Sequence, residues 1–351
     1  MTPEFEQERK KCEEEGFSIA RVAAEHKERY SILWNGRIIP AEVTGRLMYA
    51  AESRKDFPAV GDWVAIQPYE DSHAIIHHVL PRSTCISRKT SGKEFNEQLL
   101  AANMDIVFIV QGLDGDYNIR RLERYLVVVA ESGAVPVVLL SKTDLLTDEE
   151  IGLRIEEVKK AAPGVTIIAY SAKNLSHISE IQRLITPAMT VCFIGSSGVG
   201  KSTLINTLVG KNLLETNEVR EEDSRGKHTT TRRELIPLEN GGFVIDTPGM
   251  RELGLWNVSS SIGEVFPEIL ELSHGCKFTD CTHVHEPDCA VQAAVKEGQL
   301  AGDRYESYLK LRKEADYVAS KTDISKAQER KAKEKQMGRV LKAFSKMNKK
   351  K

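Results

Sequence analysis

Gly195-Ser196-Ser197-Gly198-Val199-Gly200-Lys201-Ser202-Thr203 is the segment with the sharpest chemistry in this sequence. It fits the pattern G-x4-G-K-[ST], in which closely spaced glycines let backbone N–H groups turn onto phosphate oxygens at a helix N-terminus. Lys201 is expected on the β and γ phosphates of a nucleotide, and the Ser202 hydroxyl on Mg2+. The flanks suit that task. The apolar run Thr190–Ile194 reads as a strand leading in, and a helical pattern starts near Lys201. A phosphate loop does not by itself choose between adenine and guanine.

The base is chosen elsewhere in the chain. Leu140-Ser141-Lys142-Thr143-Asp144 follows an apolar run and resembles the [NT]-K-x-D box of GTPases. An aspartate there accepts from the ring N–H and the exocyclic amine of guanine, a donor pair that adenine lacks, while the lysine stem covers the base plane. Ser141 departs from the usual Asn, so the contact that Asn makes to base and phosphate loop is expected to weaken. Tyr170-Ser171-Ala172-Lys173 resembles the S-A-K box, whose backbone N–H groups meet the guanine carbonyl. Asp246-Thr247-Pro248-Gly249 has the form D-x-x-G, with Asp246 expected near Mg2+ and the Gly249 N–H near the γ-phosphate. Between these lies Gly226-Lys227-His228-Thr229-Thr230-Thr231, a polar segment in which Thr230 or Thr231 would complete the Mg2+ shell. The position after D-x-x-G is Met250, a thioether that cannot orient an attacking water, so His228 becomes the candidate to do so. The order is unusual. Ordinary GTPases run phosphate loop, threonine, D-x-x-G, [NT]-K-x-D, S-A-K, whereas here the last two boxes come first.

A second cluster is metallic in character. Cys276-x4-Cys281-x-His283-x5-Cys289 offers three thiolates and an imidazole, the closed donor set of a structural zinc site, with His285 as a competing imidazole. Disulfides are not readily kept in a reducing compartment, which favours metal over crosslinks.

These groups need elements to hold them. From Tyr30 to Ile86 short apolar runs alternate with turn residues, and Asn35-Gly36 between two of them is a hairpin signal. Four or five such strands suit a small barrel of the OB or SH3-like type. From Ala102 the rhythm changes to alternating strands and helices, with strands expected at 105–110, 135–140, 165–170, 190–194 and 243–245. This is the signature of a doubly wound parallel sheet. The expected division is a charged leader at 1–24, a barrel at 25–90, a GTPase unit at 101–254, a helical zinc-binding unit at 255–320 and a basic tail at 321–351. The stretch from Lys89 to Glu97 reads as a linker.

Charge sharpens the picture of the tail. The net charge of −2 divides into +9 over 321–351 and −11 over the rest, an electrostatic footprint for nucleic acid. The acidic N-terminal stretch lacks the apolar core of a signal peptide. No apolar run approaches the ~18–20 residues that span a bilayer. A cytoplasmic protein with no membrane partner is expected.

The permuted order, Gly226-Lys227-His228-Thr229-Thr230-Thr231, Gly61-Asp62-Trp63-Val64 and the run from Cys276 to Val291 together resemble the bacterial small-subunit-dependent GTPases of the RsgA or YjeQ family. The resemblance covers nearly the whole chain. It implies an α/β P-loop GTPase domain in circular permutation, an N-terminal OB-type β-barrel and a C-terminal α-helical zinc-binding domain. It also implies GTP hydrolysis with Mg2+ in late maturation of the small ribosomal subunit, contact with rRNA and stimulation by that subunit. Zinc falls on Cys276, Cys281, His283 and Cys289. A monomer is expected. A GTP-gated binding switch with negligible turnover, or an ATPase using the same phosphate loop, would be the competing readings; the guanine boxes argue against the second.

Overall fold

The computed structural model describes residues 2–26, 29–69, 72–89, 97–211, 233–246 and 261–321. A first helix, α1 (Pro3–Glu14), is capped by the Thr2 side chain and leads into β1 (Ser18–His26). The stretch read as a leader, 1–24, therefore holds a helix and most of a strand. Two features masked them. The outer face of α1 is a ladder of charges, with Arg9 bonded to Glu6 and Glu13, while Phe5 and Cys12 alone pack inward. In β1 the apolar pattern is broken by Arg21, whose guanidinium is buried between the Trp63 and Phe243 rings.

The strands β2 (Arg29–Trp34) and β3 (Arg37–Val43) form the expected hairpin, with Asn35 and Gly36 both at positive φ, 49° and 75°. After the short helix α2 (Gly45–Ala50) come β4 (Trp63–Tyr69) and β5 (His73–Val79). Pairing runs β1-β2-β3-β5-β4 and closes through β4 back to β1, with β3–β5 the parallel pair. Val22, Ile32, Val64, Ile66 and Ile76 fill the interior. This closed, five-stranded order is that of an OB barrel. The linker region is bracketed by a separate hairpin, β6 (Cys85–Lys89) and β7 (Glu97–Ala102).

Alternation of strand and helix then begins. The elements are β8 (Ile106–Gly112), α3 (Ile119–Ser132), β9 (Val135–Ser141), α4 (Asp148–Ala161), β10 (Thr166–Ala169), α5 (Ile178–Leu184), β11 (Thr190–Ile194), α6 (Lys201–Val209), β12 (Glu234–Pro237) and β13 (Phe243–Asp246). Their spatial order is β10-β9-β8-β11-β13-β12, parallel except for β12. The five strands expected from sequence all lie in it. Residues of α5 and α6 pack on one face and those of α3 and α4 on the other. Residue Ala24 of β1 pairs with Glu234 of β12, so barrel and sheet run on as one eleven-stranded sheet.

The chain ends, among the described residues, in α7 (Ser261–Val265), α8 (Pro267–Ser273), α9 (Ala290–Lys296) and a longer α10 over 302–321. These helices share a core with the α3 face of the sheet. At that junction the buried Glu123 of α3 takes Arg304 and Arg120, each at 2.8 Å, and the Ser307 hydroxyl. Arg304 also bonds Glu268 at 2.7 Å and lies 4.0 Å from the Phe266 ring centre.

Candidate nucleotide and metal sites

Ligands of an open parallel sheet bind beyond the carboxyl ends of its strands, where neighbouring strands send their connections to opposite sides. Here that crevice lies between β11 and β8. From β11 the chain goes toward β12 and β13; from β8 it goes toward β9 and β10. The phosphate loop spans β11 and α6. Gly195 stands at φ 147° so close to β8 that a Cβ would sit 2.3 Å from the Val110 carbonyl oxygen. Gly200, at φ 93°, caps α6 and accepts from the Leu204 N–H through its carbonyl. The Lys201 ammonium lies across the loop, 2.7 Å from the Gly195 oxygen and 2.5 Å from that of Ser196. Ser202 and Thr203 occupy the first turn of α6, and Asp246 ends β13, the strand beside β11.

The two base boxes meet at the ends of β9 and β10. The Ser171 hydroxyl donates to Asp144 Oδ1 at 2.6 Å and accepts from the Lys173 N–H at 3.2 Å. Asp144 is exposed while Ser171 is fully buried, so a fixed hydroxyl holds a carboxylate that faces out. Ala172, the next residue in the box, is half-buried. The loss expected at Ser141 does not extend to the phosphate loop. Its hydroxyl lies 2.7 Å from the Val199 carbonyl oxygen and 3.2 Å from that of Gln111, and its one proton can serve either. The shorter side chain thus still bridges the end of β9 to the loop.

Lys142 has a partner that no box contains. Its ammonium lies 2.5 Å from Asp114 Oδ2, and Thr143 donates its N–H to the Tyr170 carbonyl. Asp114 follows β8 by two residues. Its position just beyond a strand's carboxyl end was the one available signal for it.

Cys276, Cys281, His283 and Cys289 come together with all four donor atoms within 4.8 Å of one another, a group able to hold a metal ion. Cys276 Sγ is 3.9 Å from Cys289 Sγ and 3.6 Å from His283 Nδ1, and Cys289 Sγ is 3.5 Å from the same nitrogen. The alternative imidazole, His285, is exposed and outside the group. Burial pushes the Cys276 thiol up, but the Val291 and Ala290 N–H groups at the start of α9, with the Cys289 and Cys281 thiols, outweigh it and leave it below its ordinary value. The supporting contacts were not legible in sequence. The Glu286 carboxylate accepts from the Thr282, Val284 and His285 N–H groups, and the His283 carbonyl accepts from Gln292 and the Tyr305 hydroxyl. His228, Thr230, Thr231, Gly249 and Met250 lie outside the described residues.

A phosphate loop, two guanine boxes locked to each other and a strand order in which β8 to β10 precede β11 define a circularly permuted P-loop GTPase. The RsgA GTPase family model matches residues 79–256, and a model described as 50S ribosome-binding GTPase matches 190–349. A Lactiplantibacillus plantarum protein named small ribosomal subunit biogenesis GTPase RsgA 2 is 43% identical over 304 residues, 87% of this chain and 85% of its own. The protein named small ribosomal subunit biogenesis GTPase RsgA in Opitutus terrae is 45% identical over 320 residues, 88% of this chain and 86% of its own. The crystal structure of YjeQ from Thermotoga maritima superposes with a TM-score of 0.64 at 25% identity, covering 85% of this chain and 98% of that one. The chain belongs to the RsgA GTPase family.

Proposed function

We propose that this protein hydrolyses GTP during late maturation of the small ribosomal subunit, binds rRNA there and is stimulated by the subunit. The observation that carries the guanine part is the Ser171–Asp144 bond beside a phosphate loop that Ser141 ties to the same box. The ribosomal part is supported by the names of relatives aligned over most of their length. In this reading Asp144 reads the base, Lys142 covers it, and the Ser171–Lys173 backbone meets its carbonyl. The N–H groups of Gly195–Thr203 and the Lys201 ammonium hold the phosphates. Ser202, Asp246 and Thr230 or Thr231 would hold Mg2+, which when bound neutralises charge on the β and γ phosphates. Gly249 senses the γ-phosphate and His228 orients the attacking water.

The metal of the Cys3His group is zinc. Bonds of about 2.3 Å to sulfur and 2.0–2.1 Å to nitrogen give tetrahedral edges of roughly 3.8 Å between sulfurs and roughly 3.5 Å between sulfur and nitrogen. The separations among Cys276, His283 and Cys289, 3.9, 3.6 and 3.5 Å, fit three of those edges, and Cys281 lies within 4.8 Å of each of them. With four protein donors the site is structural. The barrel, the metal module and the basic 321–351 segment face RNA, in a cytoplasmic monomer; no described helix is long and apolar enough to cross a membrane.

Measuring GTP turnover with and without purified small subunits tests the proposal. Slow basal turnover and strong stimulation are expected, with stimulated turnover lost and GTP binding kept in His228→Ala. Equal rates with and without subunits would remove the ribosomal assignment.

A further inference from the structure

The end of β8 is built around Asp114. Gly112 leaves the space that its carboxylate occupies, since a Cβ on Gly112 would lie 2.8 Å from Asp114 Oδ1. That oxygen accepts from the Asp116 N–H at 3.1 Å, and Oδ2 takes the Lys142 ammonium at 2.5 Å. The Leu113 N–H donates to the Ser141 carbonyl at 2.9 Å, tying this loop to the first residue of the guanine box. Lys142 stands at φ 64°, in the left-handed region. Burial pushes the Asp114 carboxyl up, yet its bond to Lys142 and its backbone bonds prevail and hold it below its ordinary value. The other charge of the loop, Asp116, is engaged with Arg121 of α3 at 2.8 Å.

A lysine free in water must surrender rotamer freedom before its stem can lie across a base. We propose that Asp114 is a positioning residue for guanine nucleotide binding, anchoring the Lys142 ammonium so that the aliphatic stem is already laid out where the base docks. This rests on the guanine reading of the site. Asp114 acts through Lys142, and Gly112 acts through Asp114.

Calorimetric titration of the full chain with GDP and with GTP tests this chain of dependence. Asp114→Ala should weaken both nucleotides roughly tenfold, the scale of losing one pre-organised contact. The change should appear in KM rather than kcat. Gly112→Ala should do the same, because its Cβ displaces the carboxylate, and the double variant should be no weaker than Asp114→Ala alone. Asp114→Asn, with one acceptor oxygen for two donors, should fall between. In a Lys142→Ala background Asp114→Ala should add nothing. Binding by Asp114→Ala within twofold of wild type, or an effect additive with Lys142→Ala, would overturn the inference while leaving the guanine site intact. Failure of the wild-type chain to bind either nucleotide would overturn the reading beneath it.

Discussion

In the proposed reading Asp144 recognises guanine, and a single hydrogen bond to a neighbour sets how its carboxylate is presented. Each carboxylate oxygen has two lone pairs, so the Ser171 hydroxyl on Oδ1 orients the group and leaves both oxygens free to accept from a base. Asp144→Asn replaces one acceptor with a donor. It should weaken GTP by about 1–3 kcal/mol, the cost of an unpaired polar contact, and raise relative affinity for xanthosine triphosphate, whose extra carbonyl an amide satisfies. Competition binding of the two nucleotides checks this; unchanged GTP affinity would move base recognition to another residue. The boxes were legible because each is a run of a few residues whose chemistry depends on neighbours in sequence. Asp114 was not, because its partner lies 28 residues away and only the pairing of Gly112 with Ser141 across β8 and β9 brings them together.

At the scale of elements, the run Gly61-Asp62-Trp63-Val64 was legible as a mark of kinship but not as a device. The structure supplies the reason. Gly61 stands at φ +92°, and a Cβ there would lie 2.2 Å from the Ala102 carbonyl oxygen and 2.8 Å from Ile245 Cδ1. At Gly61 the barrel, the connecting hairpin and the GTPase sheet come into close approach. Asp62 beside it is fully buried and takes Arg82 at 2.6 and 2.8 Å, while Trp63 packs against Arg21, whose pKa burial lowers to about 10. Gly61→Ala should cost about 2–4 kcal/mol, backbone strain and overpacking together. Gly36→Ala is the control: Gly36 also has positive φ, 75°, but no neighbour within 4 Å, and should cost only about 1 kcal/mol of strain. Urea unfolding of the two variants separates the contributions. Equal losses would mean that the close approach carries no weight. Register and turn type were legible in the Asn35-Gly36 hairpin because they are local. Barrel closure was not, since it requires β4 to pair with both β5 and β1.

For the whole molecule, sequence suggested a chain of separate units, and the packing is more continuous than that. Cys281, Cys289, Phe266 and Leu311 belong to the same apolar cluster as Leu122, Tyr125 and Val138 of the sheet's α3 face. The Glu123–Arg304 pair, 181 residues apart, lies within the same junction, and no sequence pattern announces it. Metal loss should therefore be felt beyond the metal loop, since ligand binding there is folding energy. Purified protein should contain one zinc per chain. Cys289→Ser or chelation should lower the melting temperature of the GTPase unit as well as that of the C-terminal helices. Elemental analysis with calorimetry checks both; protein purified without oxidation or chelators and lacking zinc would overturn the metal's identity.

The permuted strand order also sets a timetable. Chains emerge from synthesis N-terminus first and begin to fold as they do. All seven residues of β8 are buried in the finished sheet, with β9 along one edge and β11 along the other. The β9 edge is filled early, but the other waits for Thr190–Ile194. Until then an apolar strand offers an open row of donors and acceptors to any extended segment nearby. On the proposed reading nucleotide cannot help, because the half of the sheet assigned to the base is made before the half assigned to phosphate. The nascent chain therefore crosses this interval, with the β11 edge of β8 still open, without its ligand.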